Sequence, residues 1–319
     1  MTHPQLVTLG ELLVDFIGHP RAERLADVDS FSPKPGGAPA NVAVGAQRLG
    51  LPSAFLGMVG RDAFGAMLRE TLIREGVETR GLRETSSQPT TLAFVALSEQ
   101  GVPSFSFVRH PGADLSLRPE DVDASLLRAA RVFHFGSLSL CASPAREATG
   151  HALEIAREAG CYVTYDPNHR PALWSDDETA RRQMLSVVAQ VDLIKVSQEE
   201  LRLLSGEEDL QAGAQKLRGM GPRVVVVTLG GEGMAATEGS AWMELPAEPV
   251  EVVDTTGCGD ASMAGLIVAL LEAMPGLRSG DAIPVDTLRA ALAFANRCGA
   301  MAATQPGAIP ALPRRAEVS

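Results

Sequence analysis

The stretch "VDTTGCGDASMAGL", Val253 to Leu266, sets two glycines around a cysteine and an aspartate directly behind them. After it, Met263, Leu266, Ile267, Leu270, Leu271 and Met274 recur at helical spacing. Gly257, Cys258 and Gly259 are therefore expected just before or inside a helix N-terminus. Glycines there let successive backbone N–H groups turn the same way and let a ligand approach closely. Such amides, added to the helix dipole, make an anion site. Asp260 then has two readings. One is a simple N-terminal charge, stabilising the helix by roughly 0.3–1 kcal/mol. The other is a general base that takes a proton from a hydroxyl while the amides stabilise charge on a phosphoryl group.

The elements that must position these residues alternate between strand and helix. "QLVTLGELLVDFIG" reads as two short strands, and "NVAVGAQRLG" as a helix stopped at Gly50. "SAFLGMVG" reads as a strand, followed by a helix over 62–75. "TTLAFVALSEQGVPSFSFVRH" reads as a hairpin around a Gln-Gly turn. Strands "RVFHFGS", "CYVTYD", "DLIKVS" and "RVVVVTLG" follow, with helices over 144–158, 176–189 and 198–204 between them. A further strand is expected at "VEVVD". The run "VVVV" at 224–227 is apolar on both faces, as in a parallel sheet covered by helices. Ligands of such sheets sit at the carboxyl ends of the strands. Polar clusters fall there: "DPNHR" after Tyr165, "SQEE" after Val196 and "TLGGEG" after Val227. The segments near 11–35 and 88–112 break the rhythm and are candidates for a small separate β-layer.

Bulk properties set the bounds. The 319 residues, 45% apolar, predict one large α/β unit with a small appendage, or two domains. A net charge of −11 argues against non-specific binding to nucleic acid or an anionic membrane, but not against a locally held anion. Cys141, Cys161, Cys258 and Cys298 form no CxxC and no zinc pattern, so a reduced, cytoplasmic protein is expected. The first residues lack a basic signal-peptide region, and no stretch approaches the ~18 apolar residues of a membrane span. A loose dinucleotide pattern, Gly231-x-Gly233-x-x-Ala236, fails on context, because "MAATEGSAWMEL" reads as strands.

"DTTGCGD" resembles the "DTxGAGD" signature of the ribokinase-like, or PfkB, carbohydrate kinases. "GGAPANVAVGAQRLG" with "GMVGRDAFG" is similar to that family's other signature. The resemblance runs from Gly10 to about Thr304. Within the family, "SFVRHPGADLSL", "FHFGSLSL", "YDPNHRPALW" and "DLIKVSQEEL" most resemble the fructokinases. The fold so implied is a three-layer α/β/α sandwich with a mostly parallel central sheet and a small β-sheet lid. Residues 1–319 would form one kinase unit, its lid drawn from 11–35 and 88–112.

Roles follow from the resemblance position by position. Asp260 would be the general base, with the Gly257-Cys258-Gly259 amides as anion hole. The departure is Cys258 in place of alanine; a thiol at a helix N-terminus can have a lowered pKa, so oxidant sensitivity is expected. Asp15, Gly36, Gly37, Asn41 and Arg109 would meet the sugar, with Arg109 in the lid facing it. Asn168, Arg170, Ser197, Thr228, Gly230, Gly233 and Asn296 would meet ATP. Glu200, the acid of an NxxE-like motif in which Ser197 replaces asparagine, would hold Mg2+ through water. Asp254 would support the loop and a monovalent cation such as K+. The activity implied is ATP-dependent phosphorylation of fructose at its 6-hydroxyl, with 2-keto-3-deoxygluconate kinase as the rival. A sugar-binding regulator without catalysis is the rival of another class. A homodimer through the lid strands is expected by analogy.

Overall fold

A computed structural model describes residues 3–99 and 103–318; the expected Gln-Gly turn lies outside the described residues. Thirteen strands run in chain order among them. They are β1 (Leu6–Leu9), β2 (Leu13–His19), β3 (Ser30–Gly36), β4 (Ser53–Gly60), β5 (Leu82–Thr85), β6 (Leu92–Leu97), β7 (Pro103–Val108), β8 (Val132–Gly136), β9 (Tyr162–Asp166), β10 (Leu193–Ser197), β11 (Val224–Thr228), β12 (Met234–Glu238) and β13 (Ala241–Leu245). Nine of them form one sheet in the order β13-β12-β11-β10-β9-β8-β1-β4-β5. All its pairings are parallel except those of β12 with β11 and with β13.

Alternation along each strand feeds two cores. Val224 and Val226 pack on one side, with the helices Ala38–Arg48, Cys258–Ala273 and Val285–Ala302. Val225 and Val227 pack on the other, with Ala145–Glu158, Gln198–Ser205 and Leu210–Arg218. The molecule is therefore an α/β/α sandwich. The remaining strands form a second sheet, β3-β2-β6-β7, antiparallel except for the β2–β6 pair. Among the described residues no helix is long and apolar enough to cross a membrane.

Two expected elements differ. The helix predicted over 176–189 ends at Leu185, and Val188 is buried in a separate short turn. "VEVVD" is not a strand. Its alternation sends Val250 and Val252 outward, 39% and 49% exposed, while Val253 and Asp254 donate their amides to the Ala303 carbonyl, at 2.8 and 3.2 Å. The apolar residues that mimic a strand line a surface cavity instead.

Candidate active site

Gly257 caps the Cys258–Ala273 helix in the left-handed region, φ +82°, and a Cβ there would lie 3.0 Å from the Ala308 Cα. That backbone turn, open to glycine alone at low cost, aims the first turn of the helix into a cavity. The Cys258 amide donates to the Thr255 carbonyl at 3.3 Å. The Gly259 amide has no acceptor among the described residues, as expected of a first helical turn. Asp260 follows, 7% exposed, and accepts a hydrogen bond from Asn41 Nδ2 at 2.7 Å. Burial pushes its carboxyl up to about 7, against the opposing pull of the Asn41 bond. Asn41 reaches Asp260 because its helix lies close: a Cβ on Gly45 would sit 2.8 Å from the Ala264 Cβ.

The expected lowering of the Cys258 thiol pKa does not occur. Desolvation, then the Asp254 and Asp260 charges, push it up to about 12.

The cavity in front of Asp260 measures about 440 Å³. The lid supplies Leu13, Asp15, Phe105 and Phe107 to its wall; Gly37 and Asn41 close another side. Asp15 is 6% exposed, and burial pushes its carboxyl up to about 7, with Arg170 opposing and Asp260 reinforcing. Gly36 does not itself line the cavity. Its absent side chain makes room for Asp15, whose Oδ2 lies 2.0 Å from where a Cβ would stand. A Cβ on Gly37 would strike the Glu11 carbonyl oxygen at 2.4 Å.

Carboxyl ends of neighbouring strands make the floor. β9 and β10 pair with Leu193 opposite Thr164 and Ile194 opposite Tyr165. One residue further on, Lys195 Nζ meets Asp166 Oδ2 at 2.7 Å, both side chains nearly out of solvent. The ammonium lies 3.5 Å from where a Gly259 Cβ would be. Neither residue was singled out from the sequence, although a lysine inside the apolar strand "DLIKVS" was the available signal, since lysine is rarely buried unless paired. Glu11 was missed too. It is 3% exposed on the cavity wall; its Oε1 accepts the Ala38 amide at 2.8 Å, and burial pushes it up to about 7.

Asn168, Arg170 and Ser197 line the same cavity, Asn168 with φ +46°. Glu200 lines it as well, but its two oxygens accept the His169 amide at 2.6 Å and the Ser197 amide at 2.8 Å, while Ser197 caps the helix by accepting the Glu200 amide. Asp254 is fully buried and accepts the Thr256 and Gly307 amides at 2.8 and 2.7 Å, which ties the loop before Gly257 to the C-terminal segment. Among the described residues no three ligating side chains converge on a metal position.

A second cavity of about 250 Å³ shares Thr228, Thr255 and Gly259 with the first. It contains Gly230, Gly233, Val250, Val252, Cys258 and Asn296, and Asn296 Nδ2 donates to the Pro246 carbonyl at 2.6 Å. Arg109 is the clear misplacement. It does not face either cavity: both its Nε and Nη2 go to Asp114 Oδ2, and Nη2 also donates to the Leu138 carbonyl at 3.0 Å. A buried guanidinium needs a carboxylate partner, and Asp114, five residues on, provides it.

The buried Asp260 carboxyl, the unpaired Gly259 amide and the buried Lys195 ammonium lie where two cavities meet, while the Cys258 amide, expected in the anion hole, is taken by the Thr255 carbonyl; such a grouping suits phosphoryl transfer. The pfkB family carbohydrate kinase profile matches residues 3–315, and the chain belongs to that family. Fructokinase-1 of Zea mays is 41% identical over 98% of this chain and 96% of its own length. A double mutant of Vibrio cholerae fructokinase, solved with fructose, ADP and potassium ion, superposes with TM-score 0.86 and 32% identity, covering 100% of this chain and 98% of that one. A putative ribokinase II from E. coli, in complex with ATP and Mg2+, has TM-score 0.86 and 27% identity over 99% and 97% of the two chains. The protein is a carbohydrate kinase, a phosphotransferase with an alcohol acceptor, and it is fructokinase-like.

Proposed function

We propose that the protein is a fructokinase, transferring the terminal phosphoryl group of ATP to the 6-hydroxyl of fructose. The observation that carries this is the position of Asp260, where a polar cavity under the lid joins a second cavity edged by Val250 and Val252. The sugar occupies the first, against Asp15, Gly37 and Asn41, and the nucleotide base the second, against Gly233 and Asn296. Asp260 takes the proton of the attacking hydroxyl; that oxygen forms its bond to phosphorus as the bond to the departing ADP oxygen breaks. The Gly259 amide and Lys195 stabilise the negative charge that spreads over the phosphoryl oxygens.

The residues present also fit the ions. Mg2+, when bound, would neutralise phosphate charge, and it binds through few carboxylates and several waters; Glu200, on the cavity wall with Asp166, would hold it, since its oxygens each keep a lone pair beyond the amides they accept. Asp254, buried and held by two amides, is the counter-charge available to K+.

The rival 2-keto-3-deoxygluconate carries a carboxylate. Glu11, Asp15 and Asp260 line the cavity against Arg170, while Lys195 and Arg109 are already paired with Asp166 and Asp114, which favours a neutral sugar. A coupled assay with fructose, 2-keto-3-deoxygluconate and ribose tests the reading: fructose is expected to be turned over best, and a higher kcat/KM for either alternative would reject it. β3 and β7 leave unpaired edges on the lid sheet, and we propose that two copies associate there; light scattering showing a monomer at micromolar concentration would remove that part.

A further inference from the structure

We propose that Arg109 is a positioning residue for the sugar, cross-linking the lid to the wall of the sugar cavity through Asp114, Thr91 and Leu138. This rests on the sugar lying in the lid cavity.

Arg109 directly follows β7, whose Phe105 and Phe107 line that cavity. Thr91 directly precedes β6 and accepts the Val14 amide on its carbonyl at 3.2 Å. Both are thus joints at which the chain crosses between lid and body. Asp114 receives both joints: Thr91 Oγ1 donates to Oδ1 and Arg109 to Oδ2. A further bond of the cluster reaches deeper into the body. Arg109 Nη2 reaches the carbonyl of Leu138, which stands in the turn after β8 and lines the cavity from the body side. One guanidinium therefore fixes the spacing between the lid aromatics and the opposite wall.

The cluster is closely fitted. Arg109 and Asp114 side chains are each 2% exposed. A Cβ on Gly112 would come within 1.8 Å of Thr91 Oγ1 and 2.7 Å of Asp114 Oδ1. A buried ion pair is a poor device for stability alone, because apolar replacement of both partners is often neutral or better. Its value lies in directionality: a planar fork satisfied by a carboxylate and a carbonyl admits one lid position, whereas apolar packing admits several.

Two variants test this, with fructose and ATP varied separately and melting temperature measured alongside. Arg109→Lys keeps a charge for Asp114 but cannot reach Leu138 with the same fork. The Arg109→Met/Asp114→Leu double variant removes both charges at similar volume. Each is expected to raise the KM for fructose about tenfold, the worth of one charge-assisted hydrogen bond, with the KM for ATP unchanged. A fructose KM at the wild-type value in Arg109→Lys overturns the proposal, as does a parallel rise of both KM values. Should the double variant fail to fold, the lysine variant decides alone. Wild-type protein that does not phosphorylate fructose would instead reject the substrate assignment, and the same comparison then runs on whichever sugar it does turn over.

Discussion

Asp260 and Cys258 share the first turn of one helix, and burial lifts the pKa of both with opposite consequences for reactivity. For Asp260 the lift, to about 7, brings a carboxyl close to the pH at which a base is most useful. For Cys258 the lift, to about 12, removes the thiolate that oxidants and alkylating agents need. Three outcomes are expected. Asp260→Asn should lower kcat by ~10²–10⁴, the usual worth of general acid–base help, and wild-type turnover in that variant would reject the base assignment. In the wild type, kcat/KM should fall with decreasing pH below about 7, an acid limb owned jointly by Asp260, Asp15 and Glu11, which all lie near that value in one cavity. Folded protein should also react with iodoacetamide at Cys258 far more slowly than denatured protein, followed by mass spectrometry; comparable rates would show that the thiol is not suppressed.

The helices and strands carry these groups, and the sequence discloses them unevenly. "DTTGCGD" marks the helix start because glycine spacing and the apolar run behind it are local properties. Asp15 is legible because an acid in an apolar strand is costly without a partner or ligand. The same reasoning applied to Lys195 finds a partner only through the register of β9 and β10, which is a property of the assembled sheet. Arg109 is legible as a lid residue but not as one turned away from the cavity: Asp114 stands only five residues on, yet spacing alone does not say that the intervening turn brings its carboxylate onto the guanidinium. Val250 and Val252 alternate like a strand yet face a ligand-sized hollow. Close packing between elements is equally hidden. Gly45 lets the Ala38–Arg48 helix approach Ala264, and this approach delivers Asn41 to Asp260. Gly45→Ala would place a methyl group 2.8 Å from the Ala264 Cβ. Overpacking of this kind costs typically ~1–3 kcal/mol, and displacing Asn41 should lower kcat by about tenfold or more without touching a site residue. Unchanged kcat in a folded Gly45→Ala protein would show that helix spacing does not set the Asn41–Asp260 contact.

At the scale of the whole molecule, the lid and sandwich together exclude water from three carboxyl groups, and stability and activity pull against each other there. Asp260 has a folded-state pKa near 7 against an ordinary value of 3.8. The native state therefore holds its proton more tightly than the unfolded chain does. The stability this contributes is present below about pH 4 and is lost as pH rises through 7. At neutral pH the enzyme keeps a partly ionised carboxyl in a place where a neutral group would be more comfortable. Asp260→Asn keeps an oxygen to accept the Asn41 bond and removes the titration. The variant should therefore melt above the wild type at pH 8, and the gap should shrink steadily toward pH 5. Glu11 and Asp15 titrate in the same sense in both proteins, and each senses charge at the neighbouring site, so the difference between the two melting curves isolates the Asp260 contribution together with that coupling. Calorimetry across this pH range checks it: a gap that stays constant, or that widens toward acid, would mean the Asp260 carboxyl is not desolvated in solution, and the structural basis for a base poised near neutrality would go with it.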